Sequence, residues 1–104
     1  MGRTLRDAAA LASGSGLGIE HRPVDALIPN ARNARTHSES QVALIAGSIR
    51  EYGFTNPVLV DGANGIIAGH GRLLAARKLG LASVPVIELA HLSEAQKRAY
   101  ILAD

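Results

Sequence analysis

The stretch from Val58 to Leu79 constrains the fold of this chain more than any other. Val58-Leu59-Val60 is a short apolar run that reads as a strand. Asp61-Gly62-Ala63-Asn64-Gly65 is dense in turn formers, and Ile66-Ile67-Ala68 reads as the returning strand of a hairpin. The chain then meets Gly69 and takes helical spacing at once, from His70 to Leu79, with Gly80 placed to end the helix. A hairpin that opens straight into a helix calls for a mixed α/β (α+β) domain.

The rest of the chain supplies partners for that unit. Residues 19–24 alternate apolar and polar, as a short strand does. Residues 25–33 hold Pro29-Asn30 and read as turn and loop, and residues 33–37 as polar and irregular. Ser38 and Gln41 have capping-box spacing, so a helix is expected from Ser38. Val42, Ile45, Ile49 and Tyr52 fall on one face of it, and Gly53 is the expected left-handed C-cap. Val84 to Glu88 reads as another strand, and Pro85 suggests a sheet edge. Ser93 and Gln96 repeat the capping-box spacing before a third helix, Glu94 to Ala103. A chain of 104 residues is one domain's worth. The expected division is a flexible leader over residues 1–18 and a folded domain over 19–104. With Tyr52, Phe54 and Tyr100 as its aromatics, the core must be aliphatic.

Several chemistries are excluded. There is no cysteine, hence no disulfide, zinc-thiolate site or thiol nucleophile. The four histidines are scattered without nearby acids, so no metal site is expected. No apolar run approaches the roughly 20 residues of a membrane span. The net charge of +2 is small, but residues 62–87 and 26–38 are free of Asp and Glu. These segments hold Arg72, Arg77 and Lys78, and Arg32, Arg35 and His37. They can converge on one anionic ligand, or they can be solvated surface.

The residues that carry chemistry are Gly69-His70-Gly71-Arg72. A helix N-terminus offers unpaired N–H groups and partial positive charge. Glycines let an anion approach, and an arginine adds a bidentate donor. The turn is neither a P-loop, since the Gly-Lys-Ser/Thr ending is missing, nor a dinucleotide fingerprint, since the third glycine is missing. Read alone, the glycines can equally serve only a tight turn, and His70 can cap the helix or face solvent.

In order along the chain, Leu27-Ile28-Pro29-Asn30 with Asn33-Ala34-Arg35, then the block from Ile45 to Val60, then Gly69 to Ala76, resemble the N-terminal domain shared by ParB partition proteins, sulfiredoxins and free-serine kinases. The resemblance runs from about Ile19 to Asp104. It implies a small ParB/sulfiredoxin-like fold, a mixed β-sheet with about three helices. It also implies a nucleoside triphosphate ligand, CTP with Mg2+ as in ParB or ATP as in the kinase and sulfiredoxin relatives. By position, Gly69, His70, Gly71 and Arg72 would touch the phosphates and Arg35 would add a contact. Thr55, Asn56 and Pro57 would lie by the base or ribose.

His70 stands where ParB has the glutamate of its box, and Gly71 where it has the first arginine. Binding is therefore expected to survive better than hydrolysis. If the chain is an enzyme, it is a nucleoside-triphosphate hydrolase or phosphotransferase, with His70, Glu51 and His37 the thin candidates for a general base. Sulfiredoxin's catalytic cysteine is absent. Without a carboxylate cluster, nuclease activity is not expected. The Gly-His-Gly-Arg variant looks most like ParB-like domains of phage and prophage proteins, often found with DNA methyltransferases. That implies a cytoplasmic, DNA-handling setting with no membrane contact. A homodimer is compatible with it. DNA would be met through a further C-terminal region or a partner protein. The alternative is a non-specific DNA-binding domain accessory to a methyltransferase, with Arg77 and Lys78 on backbone phosphates.

Overall fold

The computed structural model describes residues 18–103, so the leader expected over residues 1–18 lies, apart from Gly18, outside the described residues. Strands β1 (Ile19–Pro23), β2 (Val58–Val60), β3 (Ile66–Ala68) and β4 (Ser83–Glu88) form one mixed sheet in the order β1-β4-β2-β3. β4 runs antiparallel to β1 and parallel to β2, and β2 and β3 are the expected hairpin. Helices α1 (Ala31–Ala34), α2 (Glu39–Tyr52), α3 (His70–Leu79) and α4 (Glu94–Ala103) complete the described elements, with a 3-10 turn at Val24–Ala26.

Local chemistry sets the helix ends. The Ser38 hydroxyl accepts the Gln41 N–H at 3.2 Å, and the Gln41 side chain accepts the Ser38 N–H at 3.1 Å. Ser93 and Gln96 repeat the arrangement at 3.1 and 2.8 Å. Such a box satisfies two helix-end donors reciprocally. At the far end of α3, the Gly80 N–H reaches the Arg77 carbonyl and the Leu81 N–H the Ala76 carbonyl, a Schellman closure. Gly53 has the expected positive φ, 83°, but its ψ of 178° is extended. It therefore sends the chain straight out of α2 toward Phe54 instead of curling it into a left-handed cap.

In the hairpin turn the Asp61 carboxylate accepts the N–H groups of Ala63 and Gly65, both at 2.8 Å. Arg22 on β1 pins this turn to the sheet, donating to the Asn64 side chain and, at 2.8 Å, to Glu88.

The core is aliphatic, as expected: Val24, Leu27, Val58, Val60, Ile66, Leu73, Ala76, Val84 and Val86, with Phe54 packed against it. α3 lies between this core and α2, and buries His70, Gly71, Leu73, Ala75 and Ala76. The outer side of β3 is not left open. The Ile28 N–H donates to the Asn64 carbonyl and the Ile66 N–H to the Ile28 carbonyl, both at 2.9 Å.

Three local expectations need correction. Pro85 does not mark an edge: β4 is an inner strand, and its pairing with β2 begins at Val86, so the missing N–H falls outside that ladder. Tyr52 does not share the buried face of α2. It is 70% exposed, and the buried residue of the helix is Ala46. Residues 31–34, read as loop, form one helical turn, because the Asn30 side chain accepts the N–H groups of Arg32 and Asn33.

Candidate functional site

The corner where β3 becomes α3 is built on Gly69. Its φ of 100° and ψ of 24° lie in the left-handed region, which a side chain makes costly. There is a second reason for glycine. A Cβ at this position would sit 3.0 Å from Nη2 of Arg72, because the guanidinium folds back across the turn. From there Nη2 donates to the Pro57 carbonyl at 3.1 Å. The arginine thus ties the start of α3 to the segment entering β2.

Beside the guanidinium lies an open pocket of about 200 Å3. α2 supplies Ile45, Ser48 and Ile49, the exit from α2 supplies Gly53, Phe54, Thr55 and Asn56, and α3 supplies Arg72. The apolar wall suits a flat or aliphatic group, while the hydroxyls, the amide and the guanidinium suit a polar or anionic one. Small-molecule sites usually measure about 300–1,000 Å3. This pocket is therefore smaller than such sites and open on one side. Its lining has no carboxylate. A magnesium ion here would rest on a ligand's own phosphate oxygens and water, not on side chains of this chain.

The structure brings Arg72, Thr55, Asn56 and the Pro57 carbonyl together, but not every residue singled out in the sequence. Gly71 faces α2, not the pocket. A Cβ there would lie 2.8 Å from Ile45 Cδ1 and 2.9 Å from His37 Cδ2. Its lack of a side chain lets α2 and the His37 ring close onto α3. The His70 ring does not face solvent either. It is 1% exposed, and its Nε2 accepts the Asn30 N–H at 3.0 Å. A ring engaged in this way is not presented as a phosphate donor or a general base.

His37 Nδ1 lies 3.1 Å from the Asn33 carbonyl. Arg35 is exposed at the end of α1, with Nε donating to the Ala31 carbonyl at 3.3 Å. Glu51 is exposed on α2 and does not line the pocket. Arg77 and Lys78 are exposed in the last turn of α3, where Lys78 borders a shallow depression of about 370 Å3 with His37 and Glu39. Sequence reasoning missed Ser48 and Asn30. Asn30 had a readable signal, an N-cap residue type directly after a proline.

Electrostatics brace the neighbourhood. Burial works against ionising Asp61, but the Gly65 and Ala63 N–H groups and the Lys97 ammonium, 3.5 Å away, outweigh it and hold the carboxyl below its ordinary value. Glu94, at 2.8 Å, and Asp61 hold Lys97 above its own. Together these pairs moor α4 to the hairpin turn. Among the described residues no three His, Asp or Glu side chains cluster as a metal site, and no helix is long and apolar enough to cross a membrane.

The chain is similar to known proteins over most of its length. It is 54% identical over 82 residues to a ParB-like nuclease domain-containing protein, YnaK, of Escherichia coli, covering 79% of this chain and 94% of the relative. It is 37% identical over 90 residues to a probable chromosome 2-partitioning protein ParB of Deinococcus radiodurans, covering 83% of this chain but only 30% of that protein. A nucleoid occlusion protein of Geobacillus kaustophilus is 36% identical over 74 residues, 66% of this chain and 26% of its own length. The chain thus spans under a third of these two longer relatives.

Among solved structures, a C-terminally truncated ParB of Caulobacter crescentus complexed with CTP-γ-S superposes with a TM-score of 0.70 at 30% identity, covering 83% of this chain and 52% of the other. Sulfiredoxin of Arabidopsis thaliana shares the fold, with a TM-score of 0.67 at 22% identity over 80% of this chain and 96% of its own. The profile of the ParB N-terminal domain matches residues 8–104. Fold, block order and these matches agree, and the chain belongs to the ParB N-terminal domain family.

Proposed function

We propose that this chain is the nucleotide-binding module of a DNA-handling protein, with CTP the first ligand to test. The observation that carries the reading is the Arg72 guanidinium standing at a pocket framed by α2, the segment leaving it and the start of α3. The CTP-γ-S complex of the Caulobacter relative, at 30% identity, supports it. In this reading the Gly69–Gly71 backbone and Arg72 take the phosphates. Thr55 and Asn56 meet the base or ribose, with Pro57 fixing their approach. Arg35, on the exposed α1, would close over the phosphates from outside the pocket. Magnesium would arrive with the nucleotide.

No acid or exposed imidazole lines the pocket, so the module would bind and release nucleotide as a switch, with hydrolysis slow or left to another chain. The prophage or methyltransferase-associated setting and the cytoplasmic location belong to the same reading and rest on the Gly-His-Gly-Arg sequence. So does DNA contact through a further region or a partner. A ParB structure complexed to the centromeric parS site, at 24% identity, shares the fold of this chain.

The test is a thermal-shift series with CTP, ATP and GTP, each with and without magnesium. A ligand at about 100 times its dissociation constant should add ~2.7 kcal/mol. Stabilisation by no nucleotide at millimolar concentration would overturn the proposal. A second reading, non-specific DNA binding, draws on the exposure of Arg77 and Lys78. Steeply salt-dependent DNA binding that nucleotide leaves unchanged would favour it.

A further inference from the structure

Among the described residues, His70 is the polar side chain that the core encloses, at 1% exposure. Burying an imidazole is costly unless its nitrogens are used. Here the Nε2 atom accepts the backbone N–H of Asn30 at 3.0 Å. A ring nitrogen that accepts a hydrogen bond carries no proton, so the imidazole is neutral and its proton sits on Nδ1.

The amide it holds belongs to a structurally dependent segment. Asn30 is the N-cap of α1, its side chain accepting from Arg32 and Asn33 at 3.1 and 3.2 Å. α1 is four residues long, too short to persist by its own hydrogen bonds. From its interior, the Asn33 side-chain amide donates to the Ile101 carbonyl in α4 at 2.8 Å. The connected path therefore runs from the first turn of α3, through the imidazole, to α1 and on to the last turn of α4.

We infer that His70 is a positioning residue: its neutral ring, with Nε2 as acceptor, fixes α1 against the first turn of α3 and, through Asn33, seats the end of α4. The inference concerns a side chain that the proposed nucleotide chemistry does not use. It is tested without nucleotide, so the failure of one does not entail the failure of the other.

The first measurement is the ring 15N spectrum of the unmodified protein at neutral pH. The expected result is a neutral His70 with Nδ1 protonated and Nε2 bare; a protonated Nε2 would overturn the inference. The second is amide hydrogen exchange in variants. Losing a bond of about 1 kcal/mol should speed exchange at Asn30 by roughly 3–10-fold in His70→Ala. His70→Gln, whose amide oxygen can replace Nε2, should restore protection. In Asn33→Ala the Asn30 amide should stay protected while the last turn of α4 exchanges faster. Equal Asn30 protection in parent and His70→Ala, or no rescue by glutamine, would also overturn it. If the alanine variant does not fold, the ring spectrum of the parent still decides.

Discussion

Adding one methyl group at residue 71 asks whether that glycine serves a ligand or the packing of two helices. The surroundings of the glycine favour packing. An alanine Cβ at residue 71 would lie 2.8 Å from Ile45 Cδ1, 2.9 Å from His37 Cδ2 and 3.0 Å from its Nε2. Carbon atoms sit comfortably at about 3.5–4.0 Å, so both side chains must recede by roughly 0.5–1 Å. Ile45 can yield by changing rotamer. His37 is less free, because its Nδ1 lies at hydrogen-bond distance from the Asn33 carbonyl.

Overpacking of this kind costs about 1–3 kcal/mol. Replacing a helical glycine by alanine returns roughly 0.5–1 kcal/mol. Gly71→Ala should therefore lose about 1 kcal/mol net, lowering the melting temperature by about 4–8 °C for a domain of this size. Gly47, in α2, is the matched control, because a Cβ there meets nothing within 4 Å. Gly47→Ala should gain the propensity term alone and melt a few degrees higher. Melting curves by circular dichroism read both. Ile45→Val removes the methyl at 2.8 Å and should cost less in the Gly71→Ala background than in the parent, a coupling that reports the contact directly. If Gly71→Ala melts at or above the parent, or Ile45→Val costs the same in both backgrounds, the packing assignment is wrong.

Arg72→Ala should abolish stabilisation by nucleotide and also lower basal stability by about 1–2 kcal/mol through the lost bond to Pro57; an undiminished nucleotide shift in thermal melts would refute the assignment. Gly69→Ala forces a side chain into a φ of 100° and onto the guanidinium, and should cost about 1–3 kcal/mol by urea denaturation. The Asp61 carboxyl is held below its ordinary value of 3.8 in the folded chain, so its contribution is present above that pH and is lost as pH falls through the depressed value. The stability advantage of the parent over Asp61→Asn should accordingly be constant near neutrality and shrink in acid; an advantage that persists unchanged well below pH 3.8 would contradict the turn geometry.

Helix ends were the most legible part of the sequence, because capping chemistry is local. Ser38 with Gln41, Ser93 with Gln96, and Gly69 with Gly80 placed three helices close to their observed limits. What failed depended on tertiary neighbours. Tyr52 fits the apolar spacing of α2, but the residue of that helix that is buried is Ala46, while Tyr52 stands 70% exposed. Pro85 looked like an edge residue because a sequence does not show where β2 begins to pair. The candidate site was legible as a corner and not as a pocket. Arg72, Thr55 and Asn56 came together, whereas Gly71 and the His70 ring turned out to be committed to packing and to the Asn30 amide. Nothing in a glycine or a histidine at a helix start tells from sequence which way it will face.

The short clasp that Ile28 makes over β3 has a consequence for how copies of this domain can meet. By occupying the Asn64 carbonyl and the Ile66 N–H, it covers the start of the outer edge of β3, where an added strand would otherwise pair. At the opposite margin β1 carries Glu20, Arg22 and a terminal Pro23, which discourage a stranger's backbone from docking there. Both margins of the four-stranded sheet thus carry a local deterrent to pairing with a foreign strand, one a backbone clasp and the other charge and proline.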